Sequence, residues 1–179
     1  MNTECRRAFA AFFEKAGLRN RMPRIIAGGG RTQAREDFRR VLRSGENALL
    51  LIDSEGPVPD GTDPWTVLAS EGWRRPERAT GDHVHLMVEC MEAWFLADRN
   101  ALSSYFGKGF RENALPGNPR PNQVAKAEIL RAVDIAARDT TKQGYDKGRD
   151  SFRILALVDP SRVRASCPWV RRLLEKLAV

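Results

Sequence analysis

The run Asn47-Ala-Leu-Leu-Leu-Ile-Asp53 constrains the fold more than any other stretch of the chain. A strand on a half-solvated sheet alternates apolar and polar residues, whereas Ala48 to Ile52 is apolar at every position, as in a strand covered on both faces. Such sheets are mostly parallel, joined by helical crossovers. The run ends on two acids one residue apart, Asp53 and Glu55, in a chain with 30 Lys and Arg against 23 Asp and Glu, a net charge of +7.

The flanking pattern supports an α/β fold. Ala8, Phe9, Phe12, Phe13 and Ala16 recur at helical spacing, with Gly17 as a stop. "RIIAGGG", residues 24–30, reads as a short strand, and Thr32 can cap a helix running to about Arg43. After the apolar run come a Pro/Gly loop, a short helix "PWTVLASEGW", the basic loop "RRPERATGD", a strand "HVHLMVEC" and a helix "MEAWFLADRNALSSYFG". The prolines of "RENALPGNPRPN", residues 111–122, mark an internal boundary. The expectation is an α/β core over 1–112 and a helical C-terminal region over 113–179, packed as one compact unit. Helices are expected at 124–138, 151–157 and 168–177.

Composition narrows the setting. No apolar stretch is long enough to span a bilayer, and the start "MNTECRRAF" lacks the apolar core of a secretory signal, so a cytoplasmic protein with no membrane partner is expected. Cys5, Cys90 and Cys167 are too few and too scattered for a disulfide framework. The positive balance, with arginine pairs such as Arg74-Arg75, suits a polyanion, though solvated helix faces account for it equally.

Ligands of parallel α/β sheets gather outside the carboxyl ends of the strands, where Asp53 and Glu55 fall. Residues two apart in an extended segment point the same way, so these two can converge on a hard cation such as Mg²⁺ or Mn²⁺. The alternative is that Asp53 caps the following loop and Glu55 is solvated. Glu89 and Glu92 follow the strand "HVHLMV", and one of them can face the same cleft. Gly28-Gly29-Gly30 precedes a helix but lacks the Lys-Ser/Thr of a P-loop, so it reads as a tight turn. His83 and His85 alternate on a strand near Cys90 and read as ordinary strand histidines rather than a soft metal site. "YDKGRDSF" places Lys147 and Arg149 ahead of a helix, either as a phosphate clamp or as a basic loop with Ser151 as the cap.

The segments "RMPRIIAGGGRTQAREDF", "LLLIDSEGPV", "HLMVECMEAWFLADRNALSSYFGKGFRENALP" and "YDKGRDSF...DPSRVRASCPW" resemble a bacterial family designated domain of unknown function 4276. That family is similar to the Toprim-like proteins, which include topoisomerases, primases and nucleases. The resemblance implies a small parallel sheet flanked by helices in three layers, with a glutamate after the first strand and a D-x-D pattern after a later one. Together these hold Mg²⁺ for phosphodiester chemistry. Asp53 and Glu55 take the D-x-D place, Glu replacing the second Asp. Family members open with a strand ending in a Val-Glu-Gly-like stretch, whereas this chain begins at the following helix, so the expectation is either a start internal to a longer gene product or a protein that lacks that strand and its catalytic glutamate. An edge beside the strand ending at Asp53 would then be open to strand addition by a partner or a second copy.

Two functions are expected in competition. One is a Mg²⁺- or Mn²⁺-dependent nuclease or related hydrolase of phosphodiester bonds. In it Asp53 and Glu55 hold metal, Glu92 or Glu89 adds a ligand or base, and Lys147, Arg149, Arg74 and Arg75 hold the nucleic-acid backbone. By resemblance such a protein sits beside an ATPase partner in phage-defence or mobile-element clusters. The other is a degenerate, non-catalytic Toprim-like module that binds an ATPase, nucleic acid or itself as a homodimer.

Overall fold

The computed structural model describes residues 2–117 and 120–179; Asn118 and Pro119, within the proline-rich boundary, lie outside the described residues, as does Met1. The element order is α1 (Asn2–Phe13), α2 (Arg31–Arg43), β1 (Leu50–Asp53), α3 (Pro64–Ser70), β2 (Val84–Met87), α4 (Ala93–Ala97), α5 (Arg99–Phe106), α6 (Lys126–Ala137), α7 (Lys147–Leu157), α8 (Pro160–Ser166) and α9 (Pro168–Leu177). β1 and β2 pair in parallel, Leu50 opposite Val84 and Asp53 opposite Met87. The fold is mixed α/β, a small parallel sheet flanked by helices.

Both faces of the sheet are covered, and the period-two geometry of the strands divides the core in two. Leu50 and Ile52 of β1, with Val84 and Leu86 of β2, pack against Phe38 and Leu42 of α2 and Trp65 and Leu68 of α3. On the opposite face, Leu51 and Met87 join a larger cluster drawn from α1 and the C-terminal helices. Within it Phe12 stacks on Trp94 at 5.1 Å between ring centroids, and Phe9 meets the same indole edge-on at 6.3 Å. Ile154 and Leu155 of α7 and Val170 and Leu173 of α9 complete this cluster, so it draws on both sides of the 112/113 boundary.

Several local expectations are corrected. Residues 24–30 form no strand: among the described residues the sheet has only two members, and they pair with each other. A strand exists only where a neighbour shares its hydrogen bonds, and the Arg24–Gly28 backbone has no ladder partner among the described residues. β1 therefore has one edge without a strand partner among the described residues. The glycine turn fits close packing: a Cβ on Gly28 would lie 2.8 Å from the Ala34 backbone. Gly30, not Thr32, occupies the cap position of α2. The helix expected after Glu92 breaks at Asp98, whose side chain accepts from Ala101 N–H and starts α5 anew. Likewise Asp146, not Ser151, caps α7, which begins four residues earlier than expected. His83 lies in a single helical turn and shares no strand face with His85.

Candidate functional site

Parallel pairing brings the carboxyl ends of β1 and β2 to one side, and four acids follow them there. Ser54 stitches the two ends: its N–H donates to Met87 O at 3.0 Å, and its Oγ accepts from Glu89 N–H at 2.9 Å and donates to Gly56 O at 2.5 Å. Asp53 Oδ1 accepts from Met91 N–H at 2.9 Å, tying β1 to the start of the helical segment after β2.

Glu55 and Glu89 both adopt left-handed backbone, φ 61° and 65°. For a residue with a Cβ this costs about 1–2 kcal/mol, and glycine would relieve it. Both side chains have partners: Glu89 Oε2 accepts from Lys126 N–H at 2.9 Å, at the first turn of α6, and Glu55 forms an ion pair with the Lys126 ammonium. Glu55 is thus left-handed rather than the extended residue expected two positions after Asp53, though its charge still acts on the Asp53 carboxyl. Asp53 faces Lys147 and Glu55 faces Lys126.

Glu92 is the most enclosed of the four strand-end acids, with no side-chain exposure. It accepts from the Tyr145 hydroxyl at 2.8 Å, and Lys147 Nζ lies 3.3 Å from Oε1 and 3.4 Å from Oε2. The same ammonium is 3.9 Å from Asp53 Oδ2. Burial pushes the Asp53 carboxyl up to about 6; Lys147 opposes the shift, and Glu92 and Glu55 reinforce it. Burial, with Glu92 beside it, holds the Tyr145 hydroxyl well above the usual phenol range. Cys90, buried against the same acids, is pushed up to about 12 and remains a neutral thiol.

All four expected acids thus lie at the strand ends, and of the expected cations Lys147 reaches two of them, Asp53 and Glu92. The other expected cations do not. Arg149 is held by buried Asp150, at 2.7 Å from Nε and 2.9 Å from Nη2, so its fork is committed within the fold. Arg74 and Arg75 are exposed on the loop after α3, where Arg75 Nε donates to Ala79 O at 2.7 Å. Beside that loop Arg31 and Arg35 lie over the Trp73 ring, at 5.5 and 5.0 Å, and Arg31 also donates to the Asp53 carbonyl at 2.6 Å. His85 lies outside the site, buried and pushed down to about 4 by burial and then by Arg172.

Sequence reasoning missed Lys126 and Tyr145. Lys126 lies beyond the proline-rich boundary and has no spacing to Glu55 that a pattern reveals. Tyr145, two residues before Lys147 in "YDKGRD", was within reach as a polar aromatic flanking a candidate cation.

Among the described residues, no group of three or more His, Cys, Asp or Glu is arranged to hold a metal ion. The chemistry of the nearest set still suits one: Asp53 and Glu92 present hard oxygens to a single cationic position, and Mg²⁺ commonly takes one or two carboxylates while keeping several waters. A surface pocket of about 410 Å³ lies elsewhere, among Asp60, Asp63, Trp169 and Arg172, and includes none of these acids. Of its polar groups, Asp63 caps α3 and Arg172 donates to Val84 O, while the Trp169 indole N–H has no hydrogen-bond partner among the described residues.

Comparison with curated proteins found no match, and neither did comparison with solved structures. A family model covers the strand-end acids, both lysines and every element described above, matching residues 1–178: the chain belongs to the family described as Domain of unknown function (DUF4276).

Proposed function

We propose that the strand-end site binds Mg²⁺ or Mn²⁺ between Asp53 and Glu92 and processes phosphodiester bonds of a nucleic acid, as a nuclease or related hydrolase. The observation carrying this reading is the convergence of buried Glu92 and partly buried Asp53, from separate strand ends, on one cationic position. The Toprim-like resemblance of the Asp53-Ser54-Glu55 stretch and the net charge of +7 support it. When bound, the ion supplies positive charge to phosphoryl oxygens. The residues of the chain do the rest. Tyr145 orients Glu92 through its hydroxyl, Met91 N–H fixes one oxygen of Asp53, and Lys147 and Lys126 offer cations to the phosphate backbone. Arg31, Arg35 and Trp73 extend the cationic and aromatic surface from the Asp53 carbonyl.

Calorimetric titration of Mg²⁺ and Mn²⁺, with cleavage assays on single-stranded and duplex substrates, tests the reading. Binding and cleavage are expected in the wild type and lost in Asp53→Asn and Glu92→Gln. Cleavage surviving both substitutions rejects the site.

A different observation favours a second reading, a non-catalytic module for nucleic acid, an ATPase partner or a second copy. Lys126 is already paired with Glu55 and Lys147 with Glu92, and one edge of β1 has no strand partner among the described residues. Nucleic-acid binding with no cleavage at any cation concentration decides for it. A phage-defence or mobile-element setting follows from the resemblance alone.

A further inference from the structure

We propose that Lys147 is a tethered counter-ion of the site, which a divalent cation displaces, so that cation binding releases the lysine toward an incoming phosphate. The inference rests on the cation-binding reading above and adds how the site is regulated.

A carboxylate with no exposure needs compensation. Among the described residues Glu92 is compensated by neutral donors, the Tyr145 hydroxyl at 2.8 Å and the Cys90 thiol, and by one cation, the Lys147 ammonium at 3.3 Å. The lysine contacts, 3.3, 3.4 and 3.9 Å, are all longer than the 2.7–2.9 Å, roughly, of a well-formed charged hydrogen bond. Arg149, two residues on, meets its buried carboxylate at 2.7 and 2.9 Å. The tight pair is built into the fold; the loose pair holds charge at a position without fixing it.

The surroundings of Lys147 fit exchange. Its backbone is anchored in the first turn of α7, whose cap is Asp146, and its carbonyl accepts from Ser151 Oγ at 2.6 Å. Its side chain is half exposed, so the ammonium has a path to solvent on a flexible stem. A divalent ion held by Asp53 and Glu92 would compete for the carboxylates that Lys147 now contacts and would repel the ammonium, so the two occupants exclude each other. Once displaced, Lys147 stays within reach of whatever anion the ion attracts, and cation and polyanion binding become reciprocally coupled.

Lys147→Met keeps the stem and removes the charge. Without added divalent cation the variant is expected to melt below the wild type. Mg²⁺ or Mn²⁺ is expected to raise its melting temperature more than that of the wild type, and to bind about tenfold more tightly by calorimetry, about 1.4 kcal/mol. In a Glu92→Gln background the difference should vanish. Equal cation affinity with and without the lysine overturns its displacement while leaving the cation site standing. Loss of cation binding in Lys147→Met overturns it too, since the lysine would then be required. No cation response in either protein overturns the cation-binding reading itself, and this inference with it. Should the variant fail to fold, amine-labelling of wild-type Lys147 gives the answer. Faster acylation with Mg²⁺ present supports displacement, and unchanged acylation rejects it.

Discussion

Asp53 and His85 are perturbed by the same cause, burial, with opposite consequences for stability. Asp53 keeps its proton in the folded chain up to about pH 6, against 3.8 for an ordinary carboxyl. Between those values the folded state binds more protons than the unfolded one, so this contribution is lost as pH rises through the window. His85 is the reverse: its folded value of about 4 lies below the ordinary 6.5, the unfolded state binds more protons in between, and stability falls as pH drops. In the wild type the two slopes oppose each other. Asp53→Asn is expected to stabilise the chain at neutral pH, by on the order of 1–3 kcal/mol, and to leave a clear loss on acidification. His85→Gln, which can still donate to the Asp82 carbonyl, should show the opposite slope. Urea denaturation at several pH values reads both, and identical slopes in the two variants would refute the assignment. The four acids were legible in the sequence because strand-end position is a strong prior in parallel sheets. Of their partners only Lys147 was legible, as a basic residue ahead of a helix; Lys126 and the Tyr145 hydroxyl arrive from segments that only the folded chain brings close.

At the scale of elements, the site depends on how short helices begin. α7 begins at Lys147 because Asp146 accepts from Arg149 N–H at 2.7 Å. Removing that acceptor leaves the Arg149 amide at the helix start with only the longer bond to the Asp146 carbonyl, 3.2 Å. Asp146→Ala is expected to cost about 1 kcal/mol and to fray the turn that carries Lys147. Hydrogen exchange at Lys147 to Asp150 would report the fraying, and unchanged protection there would show that packing alone holds the turn. Periodicity found α1, α2, α6 and α9, whose apolar faces repeat over several turns. It failed at Asp98 and Asp146, where a single side chain competes for backbone N–H groups and overrides the helical pattern. It failed again at Arg24–Gly28, because β propensity describes a residue's fit to a neighbour, and this segment has no strand neighbour among the described residues.

The whole molecule is held by the larger core cluster, which joins the first helix to the last. α1 packs on α7, and Phe12, with no exposed surface, sits against Trp94 among residues that include Ile154, Leu155 and Leu173. Phe12→Ala is expected to cost about 3–5 kcal/mol, measured by denaturant unfolding; a loss below about 1 kcal/mol would mean the site collapses to fill the space. The sequence suggested a core over 1–112 with a helical region packed on it, because strand signals stop at the prolines. Apolar burial follows a different division: α1 buries Phe9, Phe12 and Phe13 in a cluster half built from residues beyond 120. Heating the whole chain should therefore give a single calorimetric transition, with van't Hoff and calorimetric enthalpies in agreement. A fragment ending at Glu112 would leave that aromatic face in water and lose Lys126, Tyr145 and Lys147 from the site. It is expected to lack a cooperative transition and the near-ultraviolet signal of packed tryptophans. A fragment that melts cooperatively would place the folding unit in the first 112 residues and reduce α7 to a lid that delivers Lys147.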